Sequence, residues 1–210
     1  MKLRNIVLLA LIATSLAAGC SRTPGDDSAE AGFARDMATH HEQAVEMSFI
    51  LRDATADTRL RTLAYDIIVT QSAQRGMFMA WLESWGLPQA SNGPRMAWMP
   101  AGTHASHDTA HREIDGAGMP LMMGMASQAE LDLLRRATGT DAETQFLQLM
   151  IRHHEGGVLM ARALLERSSL EPVATLARSI ENGQSGEIRL MVEMLAERGG
   201  KPLPSLLPNP

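Results

Sequence analysis

Cysteine is almost missing from this chain of 210 residues, with Cys20 as the only one. One thiol allows no internal disulfide, no paired redox cysteines and no all-thiolate metal site, so stability must come from packing. After the first twenty residues no apolar run is long enough to span a bilayer. Strand signals are nearly absent, which argues against a sheet. A glycine-flanked serine elbow and a phosphate-cradling glycine loop are also missing, so nucleophilic hydrolysis and nucleotide chemistry have no support. Neither Glu-x-x-His nor His-Glu-x-x-His occurs anywhere. The first absence removes the usual di-iron ligand pattern of helical bundles, and the second removes the zinc-protease pattern. The formal net charge of −5 becomes more negative by two once Lys2 and Arg4 are removed. That balance disfavours nucleic acid and anionic lipid as partners.

What is present begins with a targeting segment. Lys2 and Arg4 precede an apolar run from Ile6 to Ala13, and Leu16-Ala17-Ala18-Gly19-Cys20 resembles a bacterial lipobox. Leucine stands one position further from the cysteine than is usual, while Ala18 and Gly19 fit. The expectation is a lipoprotein signal over residues 1–19, acylation at Cys20 and a flexible tether over 20–32. The alternative is an ordinary secreted protein with a free cysteine. Ser21 after Cys20 is compatible with export to the outer membrane, placing the protein on the periplasmic side of the cell envelope. The membrane would be a partner through the lipid alone.

The rest of the chain is organised around a stretch that occurs twice. Phe33-x3-Met37-x2-His40-His41-Glu42-x2-Val45-x-Met47 returns as Phe146-x3-Met150-x2-His153-His154-Glu155-x2-Val158-x-Met160. The offset of 113 holds without a gap from Phe33/Phe146 to Gly86/Gly199, with about 16 identities in about 54 positions. It reads as an internal duplication of one helical unit. Apolar spacing predicts helices from Phe33 to about Asp53 and from Asp57 to Trp85, an antiparallel hairpin. The second half repeats it. Thr140-Asp141-Ala142-Glu143 reads as a capping box before Phe146, in a helix to about Arg167. Pro172 fits the first turn of the next helix, which ends at Gly199-Gly200. Ser127-Gln128-Ala129-Glu130 opens a short helix to about Arg136. The units are therefore a first hairpin over 33–88, a His/Met-rich connector over 89–139, a second hairpin over 140–201 and a tail over 202–210.

The Met-x-x-His-His-Glu signature, Leu63-Ala64-x-x-Ile67, Gln71-Ser72 and Trp85-Gly86-Leu87-Pro88 resemble the bacterial family catalogued as domain of unknown function 305. The resemblance covers both repeats. It implies an all-α, ferritin-like four-helix bundle built from two duplicated hairpins, and some members are linked to extracytoplasmic copper binding.

Residues three and four apart share a helix face, so Met37 neighbours His40 and His41, with Met47 two turns on from His40. Met150, His153, His154 and Met160 repeat this as a second cluster. Neighbouring histidines diverge by about 100°, so one of each pair can face the bundle axis and the other must lie at a helix interface or in solvent. Imidazole and thioether without thiolate or carboxylate favour copper, above all Cu(I), and would accept Ag(I). The competing reading is plain core packing, which methionine serves well. Gly156-Gly157 inside a helix reads either as close packing or as room for a ligand beside His153.

In the connector, His104, His107 and His111 form one stripe if the segment is helical. Met119, Met122 and Met125 belong to a dense thioether run. Together they are a candidate looser capture site, or a loop covering the bundle end. The functional expectation is a non-enzymatic copper-binding protein for sequestration or hand-over, with a metal ion and an unidentified periplasmic protein as partners. The alternatives are a structural or partner-binding bundle without metal and, with least support, a ferritin-like oxidoreductase. Because imidazole must be neutral to bind, metal affinity is expected to fall as pH drops through about 6.

Overall fold

The computed structural model describes residues 23–91, 93–100 and 122–208. Five helices follow in order: α1 (Ala29–Ala54), α2 (Thr58–Ser84), α3 (Gln128–Arg136), α4 (Gly139–Leu165) and α5 (Glu171–Glu197). Helix α1 packs on α2 and α4 on α5, and the two hairpins meet mainly through α1 against α4. The chain is thus an all-α bundle of two hairpins, with α3 a short brace against α1 and α4. None of the helices among the described residues is long and apolar enough to cross a membrane.

Local chemistry explains the boundaries. Ser28 caps α1 by accepting from the Ala31 amide, and Asp57 caps α2 by accepting from Arg59 and Leu60. The Ser127/Glu130 capping box on α3 is formed in both directions. Both hairpins end alike. Gly86 and Gly199 are left-handed, at φ 70° and 71°. The next amides, Leu87 and Gly200, donate back to the carbonyls of Leu82 and Leu195 at 2.8 and 3.0 Å. The duplication thus extends to how each unit stops.

The expected capping box at Thr140 does not form. Helix α4 starts earlier, at Gly139, and its N-cap Thr138 makes no side-chain cap bond. Glu143 is used across the bundle instead. It accepts from Thr55 Oγ1 at 2.5 Å and from Arg198 Nε at 2.7 Å, while Arg198 also holds Asp57 at 2.6 Å. A half-buried, shared arginine outweighs one local cap, because both carboxylates gain a charged donor.

The core forms two apolar clusters. One gathers Phe33, Met37, Phe78, Leu82, Met160 and Leu164 with Trp98 and Met122 of the connector. The other gathers Met47, Leu51, Leu60, Ile67, Phe146 and Met150 with Leu131 and Leu134 of α3. Along both α1 and α4 the paired histidines lie between the stretches that feed the two clusters.

Two side chains of the first signature, Asp36 and Gln43, dock the connector. Asp36 is buried and accepts from the Met96 amide at 2.7 Å and from Trp98 Nε1 at 2.8 Å. Burial nevertheless pushes its carboxyl above the usual range. Gln43 bonds the amide and carbonyl of Ala126 at 2.7 and 2.9 Å. At the position equivalent to Gln43, Gly156 lets the connector pass, since a Cβ there would sit 2.1 Å from the Met123 carbonyl oxygen. Gly156 therefore serves close packing, and what it admits is connector backbone.

Candidate metal centre

The two signatures do not build two separate sites. They meet. The rings of His40 and His153 stack with centroids 3.7 Å apart and planes 31° apart. His41 lies 6.5 Å from His40, and His154 lies 6.3 Å from His153. All four imidazoles are fully buried. The expected divergence within each pair is present: His40 and His153 meet between the hairpins, while His41 reaches α2 and His154 reaches α5.

Each of three histidines donates outward from Nε2. His40 faces the Met123 carbonyl at 3.2 Å, His41 the amide oxygen of Gln74 at 2.8 Å, and His154 the carboxylate of Glu187 at 2.7 Å. All three partners are oxygen acceptors, so Nε2 carries the proton and Nδ1 is left as a lone pair. The Nδ1 atoms of His40, His41 and His154 are buried with no hydrogen-bond partner, and His153 has none at either nitrogen. A buried, unsatisfied polar atom costs about 1–3 kcal/mol. Five such nitrogens lie in one layer, four of them lone pairs and one the N–H of His153.

Protonation does not relieve this cost. Burial, opposed by the Met123 carbonyl, holds His40 down to about 3. Burial and the adjacent His40 hold His41 down to about 3. His153 lies well below its ordinary range through burial and the neighbouring imidazoles. While the protein is folded these rings stay neutral far below pH 6. For His40, His41 and His153 in the folded chain, burial therefore removes most of the proton competition expected near pH 6.

The methionines are divided. Met37 and Met160 lie in one apolar cluster, Met47 and Met150 in the other, all fully buried. The grouping by repeat expected from sequence is therefore crossed: each cluster takes one thioether from each copy, on opposite sides of the histidine layer. Antiparallel pairing of α1 with α4 requires this. Met122 and Met125 of the connector join the Met37/Met160 cluster. His104, His107, His111, Met119 and Cys20 lie outside the described residues.

Among the described residues, no three His, Cys, Asp or Glu side chains already converge to ligating distance. The layer supplies neutral imidazole donors, and thioethers are the only soft donors in the flanking clusters. This donor set fits a soft monovalent ion such as Cu(I) or Ag(I) and fits iron or manganese poorly.

Sequence reading missed four participants. Gln74 and Glu187 fix the tautomers of His41 and His154, and the two are themselves equivalent under the offset of 113. Gln71 and Gln184, an identical pair, are buried with all four amide atoms unpartnered. The offset alone could have flagged Gln74 and Glu187: each lies 33 residues after its histidine.

A match to the family described as domain of unknown function (DUF305) spans residues 30–195. Among solved structures, a DUF305 protein of Streptomyces coelicolor inferred to be secreted is 47% identical. That similarity covers 85% of this chain and 99% of that one, with a TM-score of 0.74. A DUF305 fragment from Deinococcus radiodurans is 33% identical over 80% of this chain and 96% of that one, with a TM-score of 0.63. The fold is also similar to that of CopM in its Cu(I)-bound form, at 22% identity, 81% and 98% coverage and a TM-score of 0.60. CopM is likewise known with Ag and with Cu(II) bound. No curated protein matches the chain.

Proposed function

The chain belongs to the DUF305 family, and from that premise we propose that it binds copper in the cell envelope, for sequestration or hand-over, at the layer where its two signatures meet. The observation that carries the reading is the set of buried Nδ1 lone pairs on His40, His41 and His154, each prepared by an oxygen acceptor behind Nε2. Ligating histidines are typically held this way by an outer acceptor, which orients the ring and raises its basicity. One thioether pair on either side of the layer, Met37 with Met160 or Met47 with Met150, would add soft donors, and His153 would supply a further imidazole. Copper would replace unsatisfied nitrogen atoms with coordinate bonds, so binding would also stabilise the fold. CopM, similar in fold and known with Cu(I), Ag and Cu(II) bound, supports copper as cargo in either oxidation state. In the same proposal Cys20 carries the lipid, residues 20–32 tether the domain, and the connector with His104, His107, His111 and Met119 is a looser capture site, whereas Met122 and Met125 belong to the buried Met37/Met160 cluster.

The competing reading is a bundle whose signatures only pack, and the lack of three convergent ligands among the described residues favours it. Titration separates the two. The full chain carrying Cys20→Ala, which removes the one thiol, would be titrated with Cu(I), Ag(I), Cu(II) and Zn(II) and melted with each. The copper reading expects tight Cu(I) and Ag(I) binding with a raised Tm, lost in a His40→Asn/His153→Asn variant. Binding that survives that variant but is lost with the connector methionines would move the site. Absence of binding would leave the packing reading.

A further inference from the structure

The four-helix arrangement is closed on one side and open on the other. Helix α1 packs on α4, whereas α2 and α5 make no comparable contact. Between α2 and α5 lies a cavity of about 110 Å³, lined among others by Thr70, Gln71, Gln74, Gly183, Gln184 and Glu187. Such a volume holds several water molecules. Thr70 and Gly183, Gln71 and Gln184, and Gln74 and Glu187 are equivalent pairs, so the groove straddles the relation between the two repeats.

The floor of this groove is the outer wall of the histidine layer, because Gln74 bonds His41 and Glu187 bonds His154. Gln71 and Gln184, 2% and 4% exposed, have no hydrogen-bond partner for either amide atom. The seat of Gln184 is reserved: a Cβ on Gly157 would lie 2.2 Å from its Oε1, and Gly157 follows His153 by one helical turn. No protein group bonds these two amides, so they present polar atoms to a groove roomy enough for water, where leucine would present none.

We infer that the α2/α5 groove is the port through which the ion reaches the buried layer, with Gln71 and Gln184 as its inner gate and the Glu187 carboxylate drawing the cation in. The inference rests on the copper reading and adds to it the route and its residues. Amide oxygens on the path replace waters that the ion sheds as it leaves solvent, as carbonyls do in ion-selective pores. The carboxylate favours a cation over an anion and stands beside the imidazole the ion meets first.

Two variants test it by stopped-flow transfer of Cu(I) from a chromophoric chelator, with equilibrium affinity measured in parallel. Gly183 has open space around it, and a Cβ there meets nothing within 4 Å. Gly183→Trp would obstruct the groove, and replacing a helix-interior glycine favours the helix. Loading and release should both slow by about tenfold or more, with Kd unchanged. Gly76→Trp, on an open glycine of another α2 face, is the control and should load normally. Gln71→Leu/Gln184→Leu should also slow loading while leaving Tm equal or higher, which a structural role for the amides would not allow. Normal loading rates in Gly183→Trp, or a lowered Tm in the leucine variant, would overturn the port while leaving copper binding intact. Failure of the unmodified chain to take up Cu(I) or Ag(I) would overturn both readings.

Discussion

The two copies of the signature agree at the centre and differ at the rim. His40 and His153 stack on each other, and each is followed by a histidine that reaches its own hairpin partner. Behind His41 stands a neutral amide, Gln74; behind His154 stands a carboxylate, Glu187. The acceptor function is kept while the charge is not. The first histidine is held by a dipole and the second by an anion that polarises its ring more strongly. A second difference faces the connector. Gln43 grips its backbone with two hydrogen bonds, whereas Gly156 makes way for it. The duplicated unit thus keeps what the shared layer needs and diverges where one connector must cross a nearly symmetric pair.

Acid should test the shared layer with the largest effect. In the folded state His40 and His41 titrate at about 3, against 6.5 ordinarily. Between those values the unfolded chain binds protons that the folded chain refuses, so stability is complete above 6.5 and is lost as pH falls towards 3. From pH 7 to pH 5 each should contribute a loss of about 2 kcal/mol, read from denaturant melts, and His41→Asn should flatten the profile. Flat stability over that range would mean the layer is wetter than its burial indicates.

Removing what the copies share comes next. His40→Asn with His153→Asn should weaken Cu(I) by about a hundredfold or more in chelator competition, near 2.7 kcal/mol. Exchanging a connector feature has a structural effect of similar size. Gly156→Ala drives a methyl into the Met123 carbonyl and should destabilise by about 2–3 kcal/mol. Gly157→Ala meets only the movable Gln184 side chain, and the first copy already has Ala44 there, so it should be milder in the same melts. Erasing the rim difference is the smallest change. Glu187→Gln gives the second copy the acceptor of the first and should weaken Cu(I) by about tenfold. An unchanged affinity would show that charge at this rim does not act through His154.

The hairpins were legible because apolar spacing, Asp57, Pro172 and the closing glycines are local signals. Helix α4 was misplaced at its start because Glu143 answers to Arg198, a residue far along the chain. The candidate residues themselves stood out through repetition, but their grouping did not. Sequence spacing puts Met37 and Met47 on one helix near one histidine, and says nothing about α4 running antiparallel, which pairs Met37 with Met160 instead. Gln71 and Gln184 were visible as an identity under the offset, yet only their burial without partners gives the pair a chemical meaning.

Each apolar cluster draws on both hairpins: Phe33, Phe78, Leu164 and Ile180 in one, Leu51, Ile67, Phe146 and Leu195 in the other. Neither hairpin owns an interior. A chain severed between them would leave two fragments that each expose half of two cores and that fit one another better than they fit water. The protein should therefore reassemble from its halves, and the covalent link between them matters for their effective concentration rather than for their shape. In that sense the molecule is a dimer written on one strand, and a gene carrying a single signature could reach the same architecture by pairing with itself.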